Sequence, residues 1–266
     1  MKKKLFILIF FIIAMVLLFL NSNSSRYIGT NYVVEKVEIS NFKKLSEFYE
    51  RHLNYKELVK KITQNSKTKK QEIIDISTWV YKKIGKISKT DIVIDNHPWT
   101  IVERKIGARD QFSDILSVLL VHNNIDSFFI LKFKKKIHPI TLFKYNNEWS
   151  IIDPYYGVYL KTNDNSFSTI EESKNGSFVM FHLTLGKITN QNLNEIFFDK
   201  NFRNILDLNN YYNNLLLEIP SSKIINNTNI YDRGGRSYIQ KPMHRIIFQL
   251  IIIYKNLINK IQFSKV

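Results

Sequence analysis

The stretch "RKIGARDQFSDILSVLLVHNNI", residues 104–125, holds a glycine-containing turn at Gly107 and then Phe112, Ile115, Leu116, Leu119 and Leu120 at helical spacing. A buried helix running from Asp110 to the asparagine pair at 123–124 is expected. The first turn of such a helix has backbone N–H groups without intrahelical partners, and it sits at the positive end of the helix dipole. It therefore stabilises anions, a nucleophilic thiolate among them. Arg109 stands at that point with the opposite sign of charge, so it is either an accident of surface chemistry or the replacement of a functional group.

Downstream the hydrophobic period changes. "DSFFILKFK" (126–134), "HPITLFKYN" (138–146) and "EWSIIDP" (148–154) are short runs rich in β-branched and aromatic residues, and Asn146-Asn147 supplies a tight turn between the last two. Upstream, "NFKKLSEFYERHLNYKELVKKIT" (41–63) places Phe42, Leu45, Phe48, Tyr49, Leu53, Leu58, Val59 and Ile62 mostly at helical spacing. "KKQEIIDISTWVYKKIG" (69–85) repeats the pattern and ends on Gly85. Helices packed beside an antiparallel sheet make an α+β fold. In "DNHPWTIVERKIG" (95–107) the proline blocks simple continuation of a helix. Beyond "YYGVYL" (155–160) and "TIEESKNG" (169–176), an asparagine-rich stretch from about Asn190 to Glu218 reads as mainly helical, and 220–241 reads as a loop. The segment 243–263, "MHRIIFQLIIIYKNLINKIQF", has an amphipathic helical pattern that suits a terminal core helix and an interfacial membrane helix equally.

The chain of 266 residues, 44% apolar and 14% aromatic, is long enough to bury one substantial core. Its 39 Lys+Arg against 23 Asp+Glu give a formal charge of +16, which favours anionic partners. No RNP-like, zinc-knuckle or helix-turn-helix pattern accompanies that charge, so nucleic acid is not an expected partner. With no cysteine there is no disulfide, no thiolate metal site and no cysteine nucleophile. No cofactor is implied, and no oligomeric state is fixed. "MKKK" followed by the unbroken apolar run Leu5 to Leu20 spans about 24 Å as a helix, which makes it a signal peptide or a signal anchor. Only Ser22 and Ser24 offer a small-x-small cleavage pattern, which favours a retained anchor with the lysines inside and the rest of the chain extracytoplasmic. Three regions follow: 1–24 as the anchor or signal, 30–218 as the main domain with its core at about 70–180, and 219–266 as loop and C-terminal helix.

The order of a helix N-terminus, a strand opening with His138 and a strand closing with Asp153 is the order of a cysteine-type triad, in which a histidine deprotonates the thiol and an acid orients the ring. "GARDQFSDILSVLL…HPITLFKYNNEWSIIDPYYG" resembles the bacterial transglutaminase-like family, cysteine hydrolases and acyltransferases of papain-like architecture. The resemblance covers roughly residues 70 to 180. It implies that Gly107 matches the family's glycine, Asp110 and Gln111 the pair after the nucleophile, and His138 the general base. Trp149 matches the core tryptophan, and Asp153 with Pro154, Tyr156 and Gly157 matches the acid and its turn. The cysteine position falls on Arg109.

Ser113, one helical turn inward, is displaced by roughly 6 Å along the axis and does not replace the thiol. Three roles remain for Arg109: a static pair with Asp153, part of a pocket for a carboxylate or phosphate with His138 and the helix N-terminus, or a side chain extending into solvent. The candidate site is thus His138 and Asp153 at ancestral catalytic positions, with Arg109, Asp110, Gln111 and Trp149 as candidate binding residues and no metal. The expected function is a membrane-anchored, non-catalytic binding or scaffolding module. Its expected partners are the membrane and an anionic ligand, a peptide or a cell-envelope polymer. The alternative is a hydrolase or acyltransferase acting on peptide or amide bonds with a non-cysteine nucleophile.

Overall fold

A computed structural model describes residues 2–30, 33–87, 97–133, 136–197 and 202–227. In chain order these form α1 (Lys2–Asn21), β1 (Asn23–Thr30), β2 (Val33–Ser40), α2 (Asn41–Thr63), α3 (Lys69–Lys83), β3 (Gly85–Lys86), α4 (Pro98–Arg104), β4 (Ile106–Gly107) and α5 (Arg109–His122). There follow β5 (Ser127–Phe133), β6 (Lys136–Tyr145), β7 (Glu148–Asp153), β8 (Val158–Lys161), α6 (Ile170–Lys174), β9 (Val179–His182), β10 (Gly186–Lys187), α7 (Leu193–Ile196), α8 (Ile205–Glu218) and α9 (Ser222–Asn227). The expected α+β class holds. The C-terminal amphipathic segment 243–263 lies outside the described residues.

The central sheet has the order β10-β9-β8-β7-β6-β5, every neighbour antiparallel and adjacent in sequence. Alternation along the strands gives it two covered faces. Phe143 and Ile152 point to the face packed by α2 to α5, where Ile73, Ile76, Val80, Phe112, Ile115, Leu116 and Leu119 are buried. Leu142 and Ile151, paired across β6 and β7, face the opposite way with Val158 and Leu160, under Leu208, Tyr212, Leu215 and Leu216 of α8. Burying both faces of the sheet is what a chain of this apolar content can sustain.

Local chemistry sets the joints. Asn146 and Asn147 both adopt positive φ, 49° and 67°, the mirror-image turn that matches the twist of the β6–β7 hairpin. Ile130 pairs with Ile140 but Lys132 with Ile137, so β6 carries one extra residue at His138–Pro139. Proline has no ladder N–H to give, and a bulge tolerates it. Pro98, expected to interrupt a helix, instead starts α4 from its first turn, where the missing N–H is not needed, and the Nδ1 of His97 accepts from Trp99 N at 3.1 Å. The segment 220–241, expected as a loop, opens with α9. Glu171 of α6 accepts from the Ser222 amide at 2.6 Å and its hydroxyl at 2.7 Å, and Ile225 is buried below. These long-range contacts override the local turn-forming composition.

Candidate functional site

α5 begins at Arg109 because the chain arrives there tightly constrained. Gly107 passes so close to Ile84 and Ile101 that an added Cβ would meet a methyl of each at 3.2 Å. Ala108 has no side-chain acceptor to cap the helix. The Gln111 Oε1 performs the reciprocal half of the job, accepting from Ala108 N at 2.9 Å and from the Arg104 guanidinium at 3.1 Å. Asp110 is exposed in the first turn, where a carboxylate suits the dipole. Both residues shape the start of the helix.

His138 and Asp153 meet across the β6–β7 hairpin. The bulge re-aims the histidine, and its Nε2 lies 2.8 Å from Asp153 Oδ2, with both side chains buried. Asp153 also accepts from the Tyr155 amide at 3.1 Å, the Tyr156 amide at 3.2 Å and the Tyr212 hydroxyl at 3.2 Å. Burial alone would raise the carboxyl pKa. The His138 ring, then the Arg109 guanidinium and the Tyr156 amide, outweigh it and hold the group below its ordinary value. Tyr212 moves the other way, well above its ordinary value, because of burial and then the nearby Asp153 charge, so its hydroxyl stays protonated and donates.

An ionised Asp153 fixes the histidine tautomer. Nε2 carries the proton, and Nδ1 presents its lone pair toward α5. Two groups converge there: Arg109 Nη1 at 3.5 Å and the Tyr211 hydroxyl in hydrogen-bond contact. The other arm of the guanidinium donates to the Tyr156 hydroxyl, and its carbon lies 4.7 Å from the ring centroids of both Tyr155 and Tyr156. Stacking on two aromatic faces and the Asp153 charge behind the imidazole offset the unfavourable dipole at this end of the helix. Parallel pairing of β3 with β4 brings Lys86 beside Gly107, and its ammonium also lies 4.7 Å from the Tyr155 ring.

The structure thus brings Arg109, His138 and Asp153 into one group, with Asp153 beyond the imidazole from the arginine. Trp149 is not part of it. Its indole is buried edge-on to Phe128 at 5.1 Å and donates to Asn226 at 2.8 Å. Ser113 is fully buried in α5 and makes no hydrogen bond with His138. Sequence reasoning missed Tyr211, Tyr212, Tyr155 and Lys86. The two α8 tyrosines lie 73 and 59 residues from their partners inside an asparagine-rich stretch, and no local pattern distinguishes them.

No family model matches the chain, and no curated protein sequence matches it. Among solved structures it is similar to a proposed cysteine protease from Cytophaga hutchinsonii, with a TM-score of 0.34 and 16% identity over 39% of this chain and 37% of that one. A TGase gives a TM-score of 0.33 and 12% identity over 50% of this chain and 43% of the other. A proposed protease from Parabacteroides distasonis ATCC 8503 gives 0.30 and 10% over 64% and 40%. In each case the chain spans less than half the length of the structure it matches.

Proposed function

We propose that the chain is a membrane-anchored, extracytoplasmic module with a degenerate transglutaminase-like domain, in which Arg109 occupies the nucleophile position and the domain binds or scaffolds without turning over a substrate. The observation that carries this reading is the guanidinium 3.5 Å from Nδ1 of His138, on the side of the ring opposite Asp153. A thiol at the start of α5 would lie against that same nitrogen. A guanidinium there has no lone pair with which to attack and no proton to surrender near neutral pH. The formal charge of +16, with Lys86 and Arg109 both against Tyr155, suits an anionic ligand, a peptide or a cell-envelope polymer bearing acidic groups.

The anchor part of the reading rests on α1. Its segment Lys4–Asn21 is long and apolar enough to cross a membrane, and none of it is buried against the rest of the chain. The division into residues 1–24, 30–218 and 219–266 belongs to the same proposal.

The test places the missing atom back. In Arg109→Cys the chain's single thiol should ionise below the free value of about 8.5, because the helix dipole and an imidazolium both favour thiolate. The rate of alkylation against pH reports this, alone and with His138→Ala. A depressed profile that relaxes without the histidine supports the correspondence, and an ordinary thiol profile in both proteins overturns it. The wild-type chain should show no His138-dependent acyl transfer or amide hydrolysis. A second reading, a hydrolase or acyltransferase with another nucleophile, draws on the Tyr211 hydroxyl at Nδ1. Turnover lost in both His138→Ala and Tyr211→Phe would establish it in place of the first.

A further inference from the structure

α2 has two apolar faces, and the rest of the domain covers only one. Tyr55 and Val59 are buried on the side turned to α3 and α5. Phe42, Leu45, Tyr49 and Leu53 are between 47% and 61% exposed. At about 100° per residue these four fall within an arc of about 80°, centred about 100° round the helix from the buried pair. They form a continuous stripe, about 17 Å long from Phe42 to Leu53. Over the next two turns the same arc is occupied by Lys56 and Lys60, both exposed.

The start of this stripe is fastened to the end of α1. The β1–β2 hairpin returns the chain so that Asn23 pairs with Ser40. The Asn41 amide donates to Ser22 O at 3.0 Å, and its side-chain nitrogen donates to Phe19 O and Ser22 Oγ, each at 3.0 Å. Ser24 Oγ donates to Asn41 Oδ1, and Lys44 Nζ to Ser25 O at 2.8 Å. Wherever α1 leaves a bilayer, the first turn of α2 is therefore held at that same depth. An apolar stripe that begins there and gives way to lysines as it recedes is graded as a lipid interface is graded, from acyl chain to anionic headgroup. A second copy of the chain would instead favour an apolar seam sustained along the helix.

We infer that the exposed stripe of α2 docks onto the surface of the membrane that α1 enters, with Phe42, Leu45 and Tyr49 in the acyl-headgroup boundary and Lys56 and Lys60 among acidic headgroups. This rests on the anchor reading of α1. Docking at both α1 and α2 fixes the orientation of the His138 site relative to the bilayer, where one flexible tether would leave it free to swing.

The test uses the full chain, which has no native cysteine, reconstituted in vesicles of phosphatidylcholine and phosphatidylglycerol. Single variants Leu45→Cys, Tyr49→Cys, Leu53→Cys, Glu57→Cys and Ala14→Cys each carry one environment-sensitive fluorophore. Quenching by acyl-brominated lipid should be severalfold stronger at 45 and 49 than at 57, intermediate at 53, and strongest at 14. Stripe labels quenched by aqueous iodide as readily as the Glu57 control, with the Ala14 label in lipid, overturn the docking and leave the anchor intact. Stripe labels shielded from both quenchers show protein covering the face, a second copy for instance, and overturn it equally. An Ala14 label exposed to iodide shows that α1 does not enter the bilayer, and the docking falls with the anchor.

Discussion

His138 on β6 and His182 on β9 belong to one sheet and are equally buried, 2% exposed each, but their surroundings differ. His138 has a carboxylate on Nε2 and two donors at Nδ1. His182 closes the turn after its own strand. Its Nδ1 accepts from the Thr184 amide at 3.3 Å, the Leu185 amide at 3.2 Å and the Thr184 hydroxyl at 3.1 Å, and its ring stands edge-on to Tyr81 at 5.0 Å. Burial first, and the Lys86 charge second, push its pKa down to about 4. Equal burial has therefore produced a neutral turn-capping imidazole in one region and, in the other, an imidazole whose tautomer is fixed by an acid and whose opposite edge is turned to a helix N-terminus. The partner decides the chemistry, and burial only sets how strongly the partner is felt.

The two regions differ most at Asp153. Asp153→Ala leaves the His138 N–H, the Tyr212 hydroxyl and two backbone amides without their acceptor inside the protein, and should cost about 4 kcal/mol of folding stability in urea titration. An equal or larger loss in His182→Ala would show that the carboxylate is not what sets the first region apart.

Acid sharpens the contrast. The unfolded His182 binds a proton at 6.5 and the folded one only near 4, so between those values the unfolded state holds more protons. Its contribution, up to about 3 kcal/mol, is complete above pH 6.5 and is lost as the pH falls toward 4. Asp153 acts in the adjoining window. Its folded pKa lies below the ordinary 3.8, so its contribution is present above that value and disappears only as the pH falls lower still. Urea unfolding at a series of pH values should show both losses in turn, and His182→Asn should reduce the upper one, which His52 shares, while leaving the lower. A flat curve between pH 6.5 and 4 in the native chain contradicts the assignment of His182.

Gly157 sits at φ +70°, and an added Cβ would meet His182 Nε2 and Tyr81 Cδ2 at 3.0 Å each. Gly157→Ala should cost about 2 kcal/mol and disturb the His182 region first, which the ring proton shifts of Tyr81 would report. The smallest effect is expected at Tyr211. Removing its hydroxyl in Tyr211→Phe takes one hydrogen bond from His138 Nδ1 and should cost about 1 kcal/mol, with the Asp153 contact unchanged. A loss as large as that of Asp153→Ala would make the tyrosine, and not the acid, the principal partner.

Much of the fold was legible because it depends on local rules. The β6–β7 hairpin follows from Asn146-Asn147, and α3 and α5 from apolar residues at helical spacing ended by polar or glycine residues. His138 and Asp153 were within reach of reading because one hairpin joins them. The rest was hidden for a physical reason. β9 and β10 are short strands whose stability comes from pairing at a sheet edge, and the periodicity of four or two residues carries no signal. Tyr211 and Tyr212 reach their partners on β6 and β7 from a helix 73 and 59 residues downstream. α2 was legible as a helix, but helical spacing did not separate its buried Tyr55 and Val59 from Phe42, Leu45, Tyr49 and Leu53, which are exposed. Periodicity reports that a helix has an apolar stripe and does not report what covers it.

Because the six strands of the sheet follow one another in both sequence and space, each ladder can close as soon as its second strand exists. Such low contact order favours fast, stepwise assembly. The groups around Asp153 then arrive on a schedule. The histidine comes with the β6–β7 hairpin, the two backbone amides with the turn that follows, and the Tyr212 hydroxyl only when α8, 59 residues later, is laid across the finished strands. Until then one side of the carboxylate is open to water, so the last step to complete its solvation shell is also the step that dries the site. Hydrogen exchange during refolding should find protection in β6 and β7 ahead of α8, the slow docking of that helix being the event that turns a wet hairpin into a sealed interior.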